Sequence, residues 1–426
     1  MRTAVRCGTL IDGTGADPVH GATLVIDDTT IVGLEREAPR DADQVIDASH
    51  ATVMPGMIDC HVHFTSSPAS VQERLLTPYS LSVAQALNHA RITLEAGFTS
   101  VRDAAGTPRG VKMAIDQGLF PGPRMRIAVS ALSQTGGHGD ATMPNGANIR
   151  PGNSEMPVTV VDGPDQVRRA VREVLRAGAD QIKVHTSGGV MSPNDEPGAT
   201  GFSPDEIAAI VYEARAAGKT VMAHAQATQG IKNAVLGGIY SIEHGIYLDD
   251  EVIEAMKQRG TWFVPTLVAP LWVVRRAERD PSSVPPYALR KAKEVMADHE
   301  ASFRQAVQRG VKIAMGTDTG VGPHGTNAEE LERMVDGGMS PMQAIVATTR
   351  SAAECARLDK ITGTLEIGKR ADLLAVDGDP LADISIVQDK DKLLLIMKDG
   401  QPFKNALNGQ SGSALSTARA ASVPIG

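Results

Sequence analysis

The sequence predicts an α/β protein, a (β/α)8 TIM barrel with a small composite β-sandwich built from both chain ends. Three observations predict it. Eight short apolar runs of strand character alternate with Ala-rich amphipathic stretches over about 310 residues, and strands that alternate with helices pair in parallel. No G-x-G-x-x-G follows the first of these runs, which ranks an open doubly wound sheet lower. The two chain ends share alternating, Gly-punctuated segments that fall outside the strand–helix rhythm.

Residues 1–56 read as short strands, in TAVRCGTLIDGTG, ATLVIDDTTIVGLE and DQVIDASHATVMPG, separated by Gly and Asp-Gly turns. Their expected partners are GKRADLLAVDGDPLADIS and KLLLIMKDGQPF, between Gly368 and Phe403, so that 1–56 plus 369–410 form the composite β domain. The expected barrel spans 57–368, with strands at 57–64, 98–105, 124–130, 180–188, 220–226, 240–245, 262–267 and 312–318. Helical stretches such as QVRRAVREVLRAGA, EIAAIVYEARAAG and VIEAMKQRG precede most of them and end in the Ala/Gly that closes a helix. Two segments break the rhythm. Residues 131–165 form a Gly/Pro/Asn-rich loop of a length that is usually functional or disordered, and the weakly hydrophobic end of the chain, with 411–426 as its tail, reads as a linker or subunit-contact arm.

Composition narrows the function classes. A chain of 426 residues, 42% hydrophobic, buries a sizeable core. A formal net charge of -8 with both signs interspersed leaves no basic footprint for nucleic acid or an anionic membrane, and points to a small-molecule substrate. Cys7, Cys60 and Cys355 are odd in number and far apart, which argues against a disulfide framework and for a reducing compartment, by default the cytoplasm. The opening MRTAVRCGTLIDGTG has no apolar leader core, and no run approaches the ~20 apolar residues of a membrane span.

In such a barrel the carboxyl ends of the strands carry the active site. Ionisable residues gather at those predicted ends: His61 and His63 on the first strand, Lys183 and His185 on the fourth, His224 on the fifth, His244 on the sixth and Asp318 on the eighth. Any one of them alone is more often a satisfied core residue, a cap or a turn. Together they are costly to bury unless a common charge compensates them, and a divalent cation supplies it. His61 and His63, two apart on a strand, face one side and grip one ion, while Cys60 faces the other way. Imidazole and carboxylate donors without thiolate suit Zn²⁺, Mn²⁺, Ni²⁺ or Co²⁺. Lys183 is anomalous in a cationic cluster unless CO₂ carboxylates its amine, which makes it an anion able to bridge two metals.

GMIDCHVHF, IKVHTSGG, MAHA, SIEHG and MGTDTG, in this order, resemble the amidohydrolase superfamily, in particular the imidazolonepropionase-like group with its Xaa-Pro dipeptidases, Xaa-Arg/Lys carboxypeptidases and ochratoxin-hydrolysing enzymes. LIDGTG and GTLEIGKRADLLAVDGDPL resemble that group's composite β domain. The resemblance implies two divalent cations, most simply Zn²⁺: His61, His63 and Asp318 on the more buried one, His224 and His244 on the more exposed one, N6-carboxylated Lys183 bridging both. It implies hydrolysis of a peptide-like amide in a dipeptide or N-acyl amino acid, by attack of a hydroxide bridging the metals, with release of a C-terminal amino acid. Asp318 is then the proton shuttle, and His138, in TGGHGD, reaches the substrate carbonyl. His185, of the same parity as Lys183, and His324, on the loop after strand eight, are further substrate-lining candidates. Gln226 stands where some prolidase-like members have a carboxylate-binding tyrosine, a departure that argues against strict proline specificity. Competing readings are a ring-opening or deaminating amidohydrolase with one metal, and a non-catalytic assembly protein that would be expected to have lost ligands. The resemblance also implies a homo-oligomer, and VPTLVAPLWVVRRAERD with the 131–165 loop is expected to set side-chain preference.

Overall fold

The computed structural model describes residues 1–143, 145–149 and 152–407. The expected tail, 411–426, lies outside the described residues. Strands β1 (Arg2–Leu10), β2 (Val19–His20), β3 (Thr23–Asp27), β4 (Thr30–Glu35) and β5 (Gln44–Pro55) open the chain. Next come β6 (Met57–Val62), β7 (Phe98–Asp103), β8 (Arg124–Ile127), β9 (Ala131–Leu132), β10 (Ile182–His185), β11 (Val221–Ala225), β12 (Ser241–His244) and β13 (Trp262–Val264). β14 (Leu373–Val376), β15 (Leu393–Lys398) and β16 (Gln401–Asn405) follow near the other end.

The two chain ends meet in one sheet of order β16-β15-β14-β5-β1-β3-β4, with β2 beside β1. The long β5 is the splice: it pairs in parallel with β1 over Gln44–Ala48 and again at Thr52 and Val53, and its last four residues pair antiparallel with β14. Val5, Leu24 and Ile26 from one end share an apolar cluster with Leu373, Leu395 and Met397 from the other. The sheet therefore curls over a core of its own, and hydrogen bonding joins it into a single path where the sequence suggested a sandwich of two.

The central strands form two parallel arcs, β6-β7-β8 and β13-β12-β11-β10-β9. Four of these strands, β6, β7, β11 and β12, are buried at every residue, as expected of strands covered on both faces. The predicted third strand is divided. It stops at Ile127, Val129 takes a φ of 61°, and two residues later β9 pairs with β10 instead of β7. The predicted eighth strand does not extend either. Residues 312–319 make isolated bridges, Ile313 to Phe263 on one side and Thr319 to Val62 on the other. Backbone bonds tie the same segment to both arcs, with Phe263 N–H donating to Lys312 O at 2.8 Å and Cys60 N–H donating to Met315 O at 2.9 Å. Its irregularity has a local cause. A Cβ on Gly316 would sit 2.4 Å from Val264 Cγ1 and 3.1 Å from the His61 backbone nitrogen, so only glycine admits this approach, and Asp318 then turns at φ 62°.

Helices Tyr79–Glu95, Gly163–Arg176, Pro204–Ala216, Thr228–Gly237, Asp250–Arg259 and Pro286–Arg309 link these strands. Their apolar faces, among them Ala86, Val167, Ile207, Ile231, Val252 and Phe303, join the strand residues in the largest core cluster. After β9 the described residues of the 131–165 segment make isolated bridges, Ser133 to Val160 and Thr142 to Asn148, until a helix begins at Gly163. The segment after β13 folds as a helix, Val268–Arg279, that lays Trp272 beside Glu329.

Candidate active site

The carboxyl ends of the parallel strands converge on a continuous cluster of imidazoles. His61 lies 5.3 Å from His63 and 5.0 Å from His244, ring centre to ring centre. His244 is 4.6 Å from His224, and His224 stacks on His138 at 4.1 Å and 12°. His185 completes the group 5.3 Å from His138. Residues from β6, the 131–165 loop, β10, β11 and β12 therefore meet, although up to 183 positions separate them in sequence.

His61, His63 and Asp318 form the tightest group. One ligand atom from each lies within 4.8 Å of the others, with His63 Nε2 at 3.2 Å and His61 Nε2 at 3.5 Å from Asp318 Oδ1. Hydrogen bonds orient the rings. His61 Nδ1 donates to Glu243 Oε2 at 2.8 Å and His63 Nδ1 donates to the Ala105 carbonyl at 2.8 Å, which leaves both Nε2 lone pairs turned to the carboxylate. His244 Nδ1 is 2.7 Å from the Thr266 hydroxyl, and His224 Nε2 donates to the Gly188 carbonyl at 2.9 Å. Lys183 Nζ sits 3.4 Å from His61 Nε2.

Burial sets the protonation states. It holds His61 and His244 well below the ordinary imidazole range and His224 down at about 3, with the neighbouring Lys183 and histidine charges adding to the effect. Burial and the charges of His224 and His185 do the same to His138. Burial also lowers the Lys183 ammonium to about 8, against the opposing pull of Glu243 and Asp318. Neutral imidazoles with oriented lone pairs, one carboxylate and an easily deprotonated amine are the donor chemistry a divalent cation takes. His244 and Asp318 both hold positive φ, 73° and 62°, a conformation rare outside glycine and concentrated at functional positions.

Two expected substrate residues stand differently. Gln226 is buried beside the cluster; its backbone N–H donates to Ser187 Oγ at 2.7 Å, and its side-chain Oε1 has no hydrogen-bond partner among the described residues. His324 stands apart from the ring cluster. Its Nε2 donates to the Ser66 carbonyl at 2.8 Å and it stacks on His89 at 4.0 Å, while its Nδ1 is buried without a hydrogen-bond partner among the described residues.

Sequence reasoning missed Glu243 and Arg102. Glu243, fully buried, accepts from both His61 and the Arg102 guanidinium, the latter at 2.9 and 3.0 Å. Arg102 also donates to the Cys60 carbonyl at 2.7 Å and to Ser241 Oγ at 3.0 Å. A signal was present: an Arg inside FTSVRD and a Glu inside SIEH are charges in strands read as buried, and such charges demand partners. Asp59 was also passed over. It accepts the N–H groups of His61 and Thr317 and the Asn327 amide, and so staples β6 to the turn that presents Asp318.

This fold and donor set define a class. Residues 52–403 match the amidohydrolase family, and the chain belongs to it. Ochratoxinase of Aspergillus niger is 36% identical over 422 residues, covering 94% of this chain and 86% of that protein. An imidazolonepropionase of Pseudomonas fluorescens is 26% identical over 408 residues, covering 87% of this chain and 92% of that protein. A Xaa-Pro dipeptidase solved with methionine in its active site superposes with a TM-score of 0.88 at 34% identity, covering 95% of this chain and all of that one. These relatives imply a TIM barrel with an extra domain, and the protein is an amidohydrolase that acts on C–N bonds of small molecules. No helix of the described residues is long and apolar enough to cross a membrane.

Proposed function

We propose that the chain hydrolyses the amide of a dipeptide or N-acyl amino acid, releasing the C-terminal amino acid with the aid of two divalent cations, zinc being the simplest choice. The observation that carries this reading is the His61–His63–Asp318 group, three oriented donors within 4.8 Å at the carboxyl ends of parallel strands. We take the two arcs, joined through residues 312–319, as one closed (β/α)8 barrel, with 1–56 and 369–410 as a separate β domain. The three cysteines are free and buried, which supports the expected reducing compartment.

His61, His63 and Asp318 would hold the more buried cation, and His224 and His244 the more exposed one. Bound there, the cations supply Lewis acidity toward the scissile carbonyl and lower the pKa of the attacking water. Lys183 enters as its neutral amine, which burial favours, and takes up CO₂ to give a carbamate and one released proton. As a carbamate, Lys183 would bring a negative charge to the cluster and supply oxygen donors for a cation. Asp318 accepts a proton from the attacking water and delivers it to the leaving nitrogen as the C–N bond breaks. His138, stacked on His224, and Gln226, with a buried unpaired oxygen, face the substrate.

A metal count combined with a screen of dipeptides and N-acyl amino acids tests the proposal. Two metals per chain and release of a free amino acid are expected. One metal with no dipeptide turnover would favour a single-metal cyclic-amide hydrolase or deaminase. A specific observation supports that second reading: among the described residues, His61, His63 and Asp318 are the group whose ligand atoms lie within 4.8 Å of one another.

A further inference from the structure

Two residues at neighbouring strand ends share an uncommon backbone. His244 closes β12 at φ 73°, and Thr266, just beyond β13, holds φ 56°. A β-branched residue keeps such a conformation only where its surroundings impose it. Thr266 is fully buried and its Oγ1 lies 2.7 Å from His244 Nδ1, so the turn that carries Thr266 also sets the His244 ring.

Contacts on both sides fix that turn. His299, on the helix Pro286–Arg309, donates from Nε2 to the Pro265 carbonyl at 2.8 Å. Glu330, on the helix Glu329–Asp336, accepts the Leu267 N–H at 2.8 Å and the Val268 N–H at 2.9 Å, one on each carboxyl oxygen. Those N–H groups open the helix Val268–Arg279, and its N-cap, Leu267, has no side-chain oxygen to meet them. A serine or aspartate at the cap would satisfy such donors from within its own helix. A fully buried glutamate reaching in from another helix costs more desolvation and adds what a local cap cannot: it fixes the start of this helix against the segment that follows Asp318. Glu329 grips the same helix further along, accepting from Trp272 Nε1 at 3.0 Å and from Arg275.

We propose that Glu330 is a positioning residue for the more exposed cation site. It holds the Thr266 turn, the Thr266 hydroxyl holds the His244 ring, and losing the two acceptor oxygens of Glu330 loosens that site while sparing the one formed by His61, His63 and Asp318. The inference rests on the two-cation reading above.

Zinc titration of the metal-free protein against a competing chelator tests it. Wild type should bind two equivalents. Glu330→Gln turns an NH₂ group toward one backbone N–H, and one equivalent should weaken by about 10- to 100-fold while the other stays within about 2-fold. Thr266→Val should weaken the same equivalent, and Thr266→Ser should retain it. Because Glu330 acts through that hydroxyl, adding Glu330→Gln to Thr266→Val should cost little more; additive losses would overturn the inference. So would a matching loss in Arg124→Ala, which breaks the buried pair with Asp372 and reports general destabilisation. Two equivalents untouched by Glu330→Gln would overturn the inference and leave two-cation binding standing. A single equivalent in wild type would overturn the two-cation reading, and the metal-free protein then decides the inference. There the His244 ring resonances in ¹H–¹³C NMR, assigned with His244→Asn, should shift in both Glu330→Gln and Thr266→Val, and unshifted resonances in Glu330→Gln would overturn it. Glu330→Asp, which keeps the carboxyl and shortens its reach by one methylene, gives the same readouts if Glu330→Gln fails to fold.

Discussion

At the scale of the residue, His61 shows how an ordinary side chain is prepared as a candidate ligand. Its Nδ1 is committed to Glu243 and its Nε2 is turned to Asp318, while burial keeps the ring neutral. Replacing Glu243 by Gln keeps an acceptor for His61 but removes the anion that makes the ring more basic. Metal affinity should fall by about 10–100-fold, measured by competition with a chelator. Asp318→Asn keeps an oxygen donor and loses the proton acceptor. It should retain metal while kcat falls by about 10²–10⁴-fold, and full turnover with metal bound would remove Asp318 from the proton path. His61, His63 and Asp318 were legible because imidazoles in an apolar strand violate burial rules. Glu243 and Asp59 were marked in the sequence as charges inside buried strands, but which imidazole or backbone group each touches leaves no spacing in the chain.

Elements are tied together beneath the site by one ion pair. Arg102 on β7 crosses to Glu243 on β12, with side chains 3% and 0% exposed, so neither charge has water to fall back on. Arg102→Ala would leave Glu243 buried and uncompensated except by His61. A loss of about 3–5 kcal/mol is expected, read as a lower urea midpoint at unchanged m. The strand–helix rhythm was legible for β6, β7, β10, β11, β12 and β13, whose apolar runs sit where hydropathy placed them. The third and eighth strands were misread as continuous. Val129 and Asp318 both adopt positive φ, and a β-branched valine gives no sequence sign of such a turn.

The whole molecule carries many imidazoles in their neutral form. Burial holds His224 and His324 at about 3 and His299 at about 4, and keeps His61, His138 and His244 well below the ordinary range. In the unfolded chain these groups take up protons as pH falls through about 6.5, whereas in the folded one they stay neutral until much lower. The unfolded state then binds more protons, and acid destabilises the fold. Burial acts oppositely on Asp59 and Asp103, pushed up to about 6, and on Glu330, pushed up to about 8, which retain protons when folded and gain stability as pH falls. With His89 lowered and Asp195 raised by burial as well, the imidazoles still outnumber the carboxyls. The Tm of metal-free protein should therefore drop between about pH 7 and pH 5, and a flat or rising Tm by scanning calorimetry would contradict this balance. At neutral pH, zinc at 100 times its Kd should add about 2.7 kcal/mol of stability. The sequence by itself determined the α/β class, the two-ended β sheet and the identities of the metal-binding candidates, because hydropathy period and misplaced charges are local properties of a chain. Only the tertiary structure decided which side chain orients which imidazole, since hydrogen-bond direction depends on atoms that folding brings within 3 Å from opposite ends of the chain.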